Sequence, residues 1–179
     1  MKPLICLIIM IKDGKSVIES TLRAAMPHMD QWFIFDTGST DGTQSCIRHL
    51  METEFPEKPG RIVEEPFVNF EVSRTRAIQF CGQECTFQIM LDDSYILHGG
   101  HELRRFLLEK LDSGASDQGF HITIGKPTDS QVYPSLRIFR SDANVAYVGV
   151  VHEVPYCNAN LVVRSFTRDR RPSDTFLSG

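Results

Sequence analysis

No apolar stretch in this chain offers a membrane span. The one candidate, Pro3-Leu4-Ile5-Cys6-Leu7-Ile8-Ile9-Met10-Ile11, has nine residues, whereas a spanning helix needs about 20. No small-residue cleavage site follows it before Lys12-Asp13, which argues against a secretion signal, and a buried parallel strand is the expected form. Charge of one sign is also scarce: a net charge of -4 gives no general affinity for nucleic acid or an anionic membrane. Any anionic ligand must therefore be held by local charge. The five cysteines, Cys6, Cys46, Cys81, Cys85 and Cys157, are odd in number and scattered, which suits free thiols in a reducing, cytoplasmic setting better than a disulfide framework. Cys81 and Cys85 have a loose metal-ligand spacing, but no second pair completes a zinc site. Repeats, low-complexity tracts and interdomain linkers are absent as well. What remains is a chain of 179 residues, 41% hydrophobic and 23% charged, the composition and length of one soluble globular domain.

The first half alternates strand and helix patterns. Strands are expected over 3–11, 32–36, 61–65 and 86–91, and helices over 15–27, 41–53, 71–82 and 100–112. Val17, Ile18, Leu22 and Ala25 share one face of the first helix; Leu103, Phe106, Leu107 and Leu111 mark the last. Thr40 or Asp41 is placed to cap the helix over 41–53. Repeated βα units predict an α/β fold with a mostly parallel central sheet and helices on both faces. The second half reads as short β-rich runs over 118–125, 132–140, 145–151 and 160–166, separated by turn residues. Residues 167–179 read as a polar tail.

Two acidic clusters stand at strand ends. Asp36-Thr37-Gly38-Ser39-Thr40-Asp41-Gly42-Thr43 follows Trp32-Phe33-Ile34-Phe35, and Asp92-Asp93 follows Phe87-Gln88-Ile89-Met90-Leu91. An open α/β sheet binds its ligand at the carboxyl ends of its strands, so the two clusters predict one shared crevice. Each has an ordinary reading beside the functional one. Asp-Gly and Gly-Ser pairs also make plain turns, and Asp92-Asp93 could be a solvent-facing turn in which one carboxylate caps a neighbouring backbone. Adjacent buried carboxylates, however, need neutralising, and a divalent cation that prefers oxygen ligands would do it. His152-Glu153 adds a potential ligand and another carboxylate. Arg74 and Arg76 stand near the start of a helix, but a regular helix cannot aim both the same way. Arg137 and Arg140 flank the Ile138-Phe139 strand core.

Taken together, Lys12-Asp13, the Asp36–Thr43 block, Asn69-Phe70 with Arg74, Leu91-Asp92-Asp93, and Tyr133-Pro134-Ser135-Leu136-Arg137-Ile138-Phe139-Arg140 leading to Gly149-Val150-Val151-His152-Glu153 resemble glycosyltransferase family 2 in order and spacing across about residues 3 to 153. The resemblance implies a single glycosyltransferase A domain, Rossmann-like, over 1–166; apart from it, the polar tail 167–179 could close over the donor diphosphate as a lid. It also implies Mn²⁺ or Mg²⁺, a nucleotide-sugar donor (a UDP-sugar), a saccharide or protein acceptor, and inversion at the anomeric carbon. Carried over by position, Lys12, Asp13, Asp36, Gly38, Ser39, Arg74 and Asp92 fall on the donor side, with Asp36 at the uracil or ribose end and Arg74 towards the ribose or diphosphate. Asp93 and His152 take the metal-ligand places. The chain departs from the usual Asp-x-Asp form, because Ser94 stands where the second aspartate is common. Members of that family often carry more sequence after this core, which leaves a larger multidomain chain open.

An inverting transfer needs a base for the acceptor hydroxyl and a cation for the departing diphosphate. Glu153 and Asp129 are the candidates for the base. Neighbouring residues on an extended strand point to opposite faces, which counts against His152 and Glu153 serving one site unless the strand ends there. Arg168, Arg170 and Arg171 could reach the diphosphate from the tail. The same residues would also suit a nucleotide-sugar-binding domain without transferase activity, or a metal-dependent nucleotidyltransferase or phosphohydrolase.

Overall fold

The computed structural model describes residues 2–125, 133–149, 154–157, 163–165 and 176–178. Its centre is the apolar run near the N-terminus, which forms strand β1 (Ile5–Ile11). β1 lies between two parallel neighbours, β2 (Gln31–Asp36) and β4 (Phe87–Leu91), and β3 (Gly60–Glu64) extends the sheet beyond β2. On the other side β7 (Tyr133–Arg140) runs antiparallel to both β4 and β6 (Gly119–Ile124). Past β6, β10 (Val163–Ser165) and β11 (Phe176–Ser178) pair one after the other with its outer edge, and β5 (Ile96–Leu97) runs antiparallel to β11. A separate antiparallel ribbon joins β8 (Val145–Val148) to β9 (Val154–Cys157).

The period of two along β1 decides what each face of the sheet buries. Ile5, Leu7, Ile9 and Ile11 face a core shared with α1 (Ile18–Ala25), α2 (Thr43–Glu54) and α4 (Gly100–Asp112), packed through Leu22, Ile47, Leu50, Leu103 and Leu107. Cys6 and Ile8 face the opposite core, where Ala77, Ile78 and Cys81 of α3 (Phe70–Cys81) meet Phe33, Phe35 and Met90, with Val145 and Tyr147 of β8 closing it. The architecture is thus α/β, a mostly parallel sheet covered by helices on both faces.

Local chemistry accounts for where the elements depart from expectation. α1 begins only at Ile18, because residues 15–17 form a turn in which the Gly14 carbonyl accepts the N–H groups of Val17 (3.1 Å) and Ile18 (3.0 Å). It ends in a 3-10 turn over Met26–His28, where Pro27 has no N–H to continue the helix. The N-cap of α2 is Gly42, at a φ of 90°, and not Thr40 or Asp41; Asp41, one residue earlier, accepts the Thr43 N–H at 2.9 Å in the turn that leads into the helix. α3 stops at Gly82, whose φ of 76° few other residues adopt. β5, β9 and β11 were not expected. They are two to four residues long, too short for a period of two to register, and β11 falls within the segment read as a polar tail. Among the described residues no helix is long and apolar enough to cross a membrane.

Candidate functional site

The chain runs from β1 outward through α1 to β2 and on to β3, then crosses back through α3 to β4 on the other side of β1, so the direction of winding reverses between β1 and β4. A crevice opens there at the carboxyl ends of the strands. Three segments meet at that edge: Asp13-Gly14 after β1, the Asp36–Thr43 loop after β2, and Asp92-Asp93 after β4. The first half of β7 arrives at the same edge because that strand runs the other way.

Asp36, the last residue of β2, is fully buried. Its Oδ1 accepts the N–H groups of Gly38 (2.9 Å) and Ser39 (2.8 Å), a tight turn that holds Gly38 at a φ of 104°. Its Oδ2 is buried with no hydrogen-bond partner among the described residues. An orphaned buried acceptor costs about 1–3 kcal/mol, so it marks a place where a donor group from a ligand would be welcome. The loop around it is locked to the end of β1. The Asp13 N–H donates to Ser39 Oγ (2.9 Å), Asp13 Oδ1 accepts the Thr40 N–H (2.7 Å), and Asp41 Oδ2 accepts the Lys15 N–H (3.0 Å). Asp13 and Ser39 therefore spend their polar atoms on each other's loops. Lys12 is exposed beside them.

The two adjacent aspartates sit in opposite electrostatic surroundings. Asp92 Oδ1 accepts from Arg74 Nη2 (2.6 Å) and Arg137 Nη1 (3.2 Å), while its Oδ2 accepts from Arg137 Nη2 (3.3 Å). Burial would push the Asp92 carboxyl up, but the two guanidiniums hold it down at about 2. Asp93 has no such pairing among the described residues, and burial together with the charge of Asp92 pushes its carboxyl up. Its Oδ2 lies only 2.9 Å from where a Cβ on Gly14 would stand, so the bare backbone of Gly14 makes room for it. The Thr21 hydroxyl donates to the Asp93 carbonyl at 2.7 Å and anchors the turn to α1.

α3 delivers the arginine. Asn69 caps it by accepting the Val72 N–H (2.8 Å), and Arg74, one turn further on and buried, projects to β4 across the Tyr147 ring at 5.7 Å. Arg76 faces outward towards Glu65, as helical geometry requires. The same helix fastens β8: Thr75 Oγ1 accepts the Tyr147 N–H and Glu71 accepts the Gly149 N–H, both at 2.9 Å. His152, Glu153, Asp129 and the tail residues Arg168, Arg170 and Arg171 lie outside the described residues.

Two participants escaped the reading of the sequence. Arg137 stood within a quoted motif but carried no role, and Gly14 was not singled out at all. The chain separation of 45 residues between Arg137 and Asp92 hides the first. A glycine directly after a charged strand end was the available signal for the second.

As a cation site, the donor set fits only in part. No group of three or more His, Cys, Asp and Glu side chains gathers among the described residues, and both oxygens of Asp92 are already taken by arginine. Asp93 does fit: a hard oxygen donor, half-buried, with no ion-pair partner among the described residues, on which burial and the charge of Asp92 outweigh the opposing charge of Arg74.

No protein-family model matches the chain, and no curated protein matches it by sequence. Its fold does match solved structures. A mannosyltransferase from Pyrobaculum calidifontis, PcManGT, in complex with GDP-Man and Mn²⁺, superposes with a TM-score of 0.56 and 19% identity over 70% of this chain and 36% of its own. S. aureus TarS 1-349 in complex with UDP superposes with a TM-score of 0.68 and 10% identity, covering 98% of this chain and 60% of its own. Glucosyl-3-phosphoglycerate synthase from Mycobacterium tuberculosis, in complex with Mn²⁺ and UDP-glucose, gives 0.51 and 16% identity over 69% and 44%. At these identities the likeness establishes the fold, the glycosyltransferase A architecture. The chain spans between 36% and 60% of the length of these three structures.

Proposed function

We propose that this chain is a metal-assisted, inverting hexosyltransferase domain that moves a sugar from a nucleotide donor, with UDP favoured, to an acceptor hydroxyl. The observation that carries the reading is the buried Oδ2 of Asp36, without a hydrogen-bond partner among the described residues, at the sheet edge it shares with Asp92 and Asp93. Support comes from the fold neighbours, whose complexes hold GDP-mannose, UDP or UDP-glucose, two of them with Mn²⁺.

In this reading Asp36 Oδ2 accepts an N–H from the base or an O–H from the ribose, while the turn on its Oδ1 keeps the carboxylate from swinging away. Asp92 is not a metal ligand. It fixes the guanidiniums of Arg74 and Arg137 at the edge where a diphosphate would meet them, an arrangement suited to bidentate recognition of phosphate oxygens. Asp93, with His152, would hold Mn²⁺ or Mg²⁺. When bound, that cation supplies charge stabilisation for the leaving diphosphate. Glu153 or Asp129 takes the proton from the acceptor hydroxyl. Arg168, Arg170 and Arg171 close over the donor and exclude water.

A thermal-shift panel of UDP-, GDP- and dTDP-sugars, each with and without Mn²⁺, tests the proposal, because a ligand of the folded state raises the melting temperature. One donor is expected to stabilise the protein in a metal-dependent way, and Asp93→Ala to abolish the metal dependence. No response to any nucleotide would refute the reading. Stabilisation without sugar transfer to any acceptor would favour a binding domain, and pyrophosphate release from a nucleoside triphosphate would favour a nucleotidyltransferase.

A further inference from the structure

At the opposite end of the sheet, far from the acidic edge, three cysteines converge. Cys6 lies on the α3-facing side of β1, Cys81 is the last residue of α3, and their sulfurs are 3.4 Å apart. Cys85 is buried close by, with its Sγ 3.2 Å from Gln31 Oε1. Both Cys6 and Cys81 line a cleft of about 220 Å³ whose walls include Gln31, Trp32, Arg61 and Glu84. Arg61 is held over the cleft by donating to the Phe80 carbonyl at the end of α3 (2.6 Å) and lies above the Phe33 ring at 5.4 Å.

We propose that Cys6 and Cys81 form a redox modification site, a dithiol that hydrogen peroxide entering through this cleft converts to a disulfide. Four of the thiols, these two included, are free in the structure. The two sulfurs need to approach by about 1.3 Å to reach the disulfide bond length of about 2.05 Å. The environments divide the roles. Contact with Cys6 draws the Cys81 thiol down, against burial, with smaller help from Gln88 and Arg61. Contact with Cys81 and Cys85, and burial, push Cys6 up. Cys81 is therefore the thiol that ionises and attacks, and Cys6 the one that resolves.

In the first step the Cys81 thiolate attacks one peroxide oxygen and the O–O bond breaks. Cys81 becomes a sulfenic acid, and hydroxide leaves to take up the proton that Cys81 lost. In the second, Cys6 sulfur attacks Cys81 sulfur, the S–O bond breaks, and water departs with the Cys6 proton. Two thiols and one peroxide give one disulfide and two waters. The product ties β1 to the end of α3, the strand that leads to Gly14 and the helix that carries Arg74.

The test treats the folded wild-type protein with dilute hydrogen peroxide, alkylates the remaining thiols after unfolding, and maps non-reduced peptides by mass spectrometry. The expected result is a Cys6–Cys81 linked peptide, a loss of two alkylatable thiols of the five in the chain, and full recovery with dithiothreitol. The link should vanish in Cys81→Ser and persist in Cys85→Ser. Retention of all the thiols, a Cys6–Cys85 link instead, or a Cys81 that stops at sulfinic acid would each overturn the proposal. The wild-type measurement decides even if a variant fails to fold.

Discussion

Two aspartates bracket β2, and they are treated in opposite ways. Asp30, just before the strand, has both oxygens in use: Oδ2 accepts the N–H groups of Leu4 (2.7 Å) and Ile5 (3.1 Å), and Oδ1 accepts from Arg104 (2.8 Å). Asp36, at the far end, is more deeply buried yet has one oxygen with no hydrogen-bond partner among the described residues. The first carboxylate joins the N-terminal ends of the strands to α4, and its work is complete within the protein. The second, in the proposed function, is completed by the donor. The same contrast recurs between neighbours, with Asp92 satisfied by two arginines and Asp93 left open.

The contrast breaks most decisively at Asp36. Asp36→Asn keeps an oxygen for the Gly38 and Ser39 N–H groups but puts an NH₂ where the donor needs an acceptor. Donor affinity should fall on the order of 100-fold, the cost of a lost hydrogen bond to a charged group, with little change in melting temperature; calorimetric titration of the donor measures it. Asp30→Ala should do the reverse. Loss of its three hydrogen bonds should destabilise the fold by about 2–3 kcal/mol, lowering the melting temperature by roughly 5–10 °C, while donor affinity stays within about threefold of wild type. If both variants lose affinity alike, the distinction between the two ends of β2 is wrong.

Acid titration sharpens the same point. Burial alone would push the Asp30 carboxyl up, but the Arg104 guanidinium and the two backbone N–H groups hold it below the usual carboxylate range. A lowered folded-state value means that the stabilisation is fully present above the unfolded value of about 3.9 and is lost as pH falls through the folded one. The gap in melting temperature between wild type and Asp30→Ala should therefore be constant from pH 7 to about pH 5 and shrink below about pH 4. The smallest effect is expected at Gly14→Ala, whose Cβ would meet the Ile11 side chain at 2.6 Å and Asp93 Oδ2 at 2.9 Å. Ile11 is itself buried in the core, so its side chain must shift there, and stability should drop by about 1–2 kcal/mol. Displacement of Asp93 should still raise the Mn²⁺ concentration needed for half-maximal thermal stabilisation by the donor.

Much of the fold was legible because long apolar strands and amphipathic helices announce themselves locally. The run from Pro3 to Ile11 and the alternation up to α4 needed no tertiary information. β5, β9 and β11 did not show, since strands of two to four residues exist only through their partners. The site divides in the same way. Asp36 and Asp92-Asp93 could be found because strand ends collect function in such sheets. That Asp92 belongs to two arginines and Asp93 to neither could not, because Arg74 and Arg137 come from 18 and 45 residues away. Of the two, Asp92 is spent on arginines, and Asp93, which the family resemblance put in a metal-ligand place, has no ion-pair partner among the described residues.

The most direct measurement uses Mn²⁺ as a paramagnetic reporter on an isotope-labelled sample. Adding Mn²⁺ with UDP should broaden the amide signals of Gly14, Gly38, Ser39 and Asp93, and leave those of Cys6, Cys81 and Gly82 at the other end of the sheet sharp. Broadening that spares Gly14 and Asp93, or that centres on the cysteine end, would contradict the account.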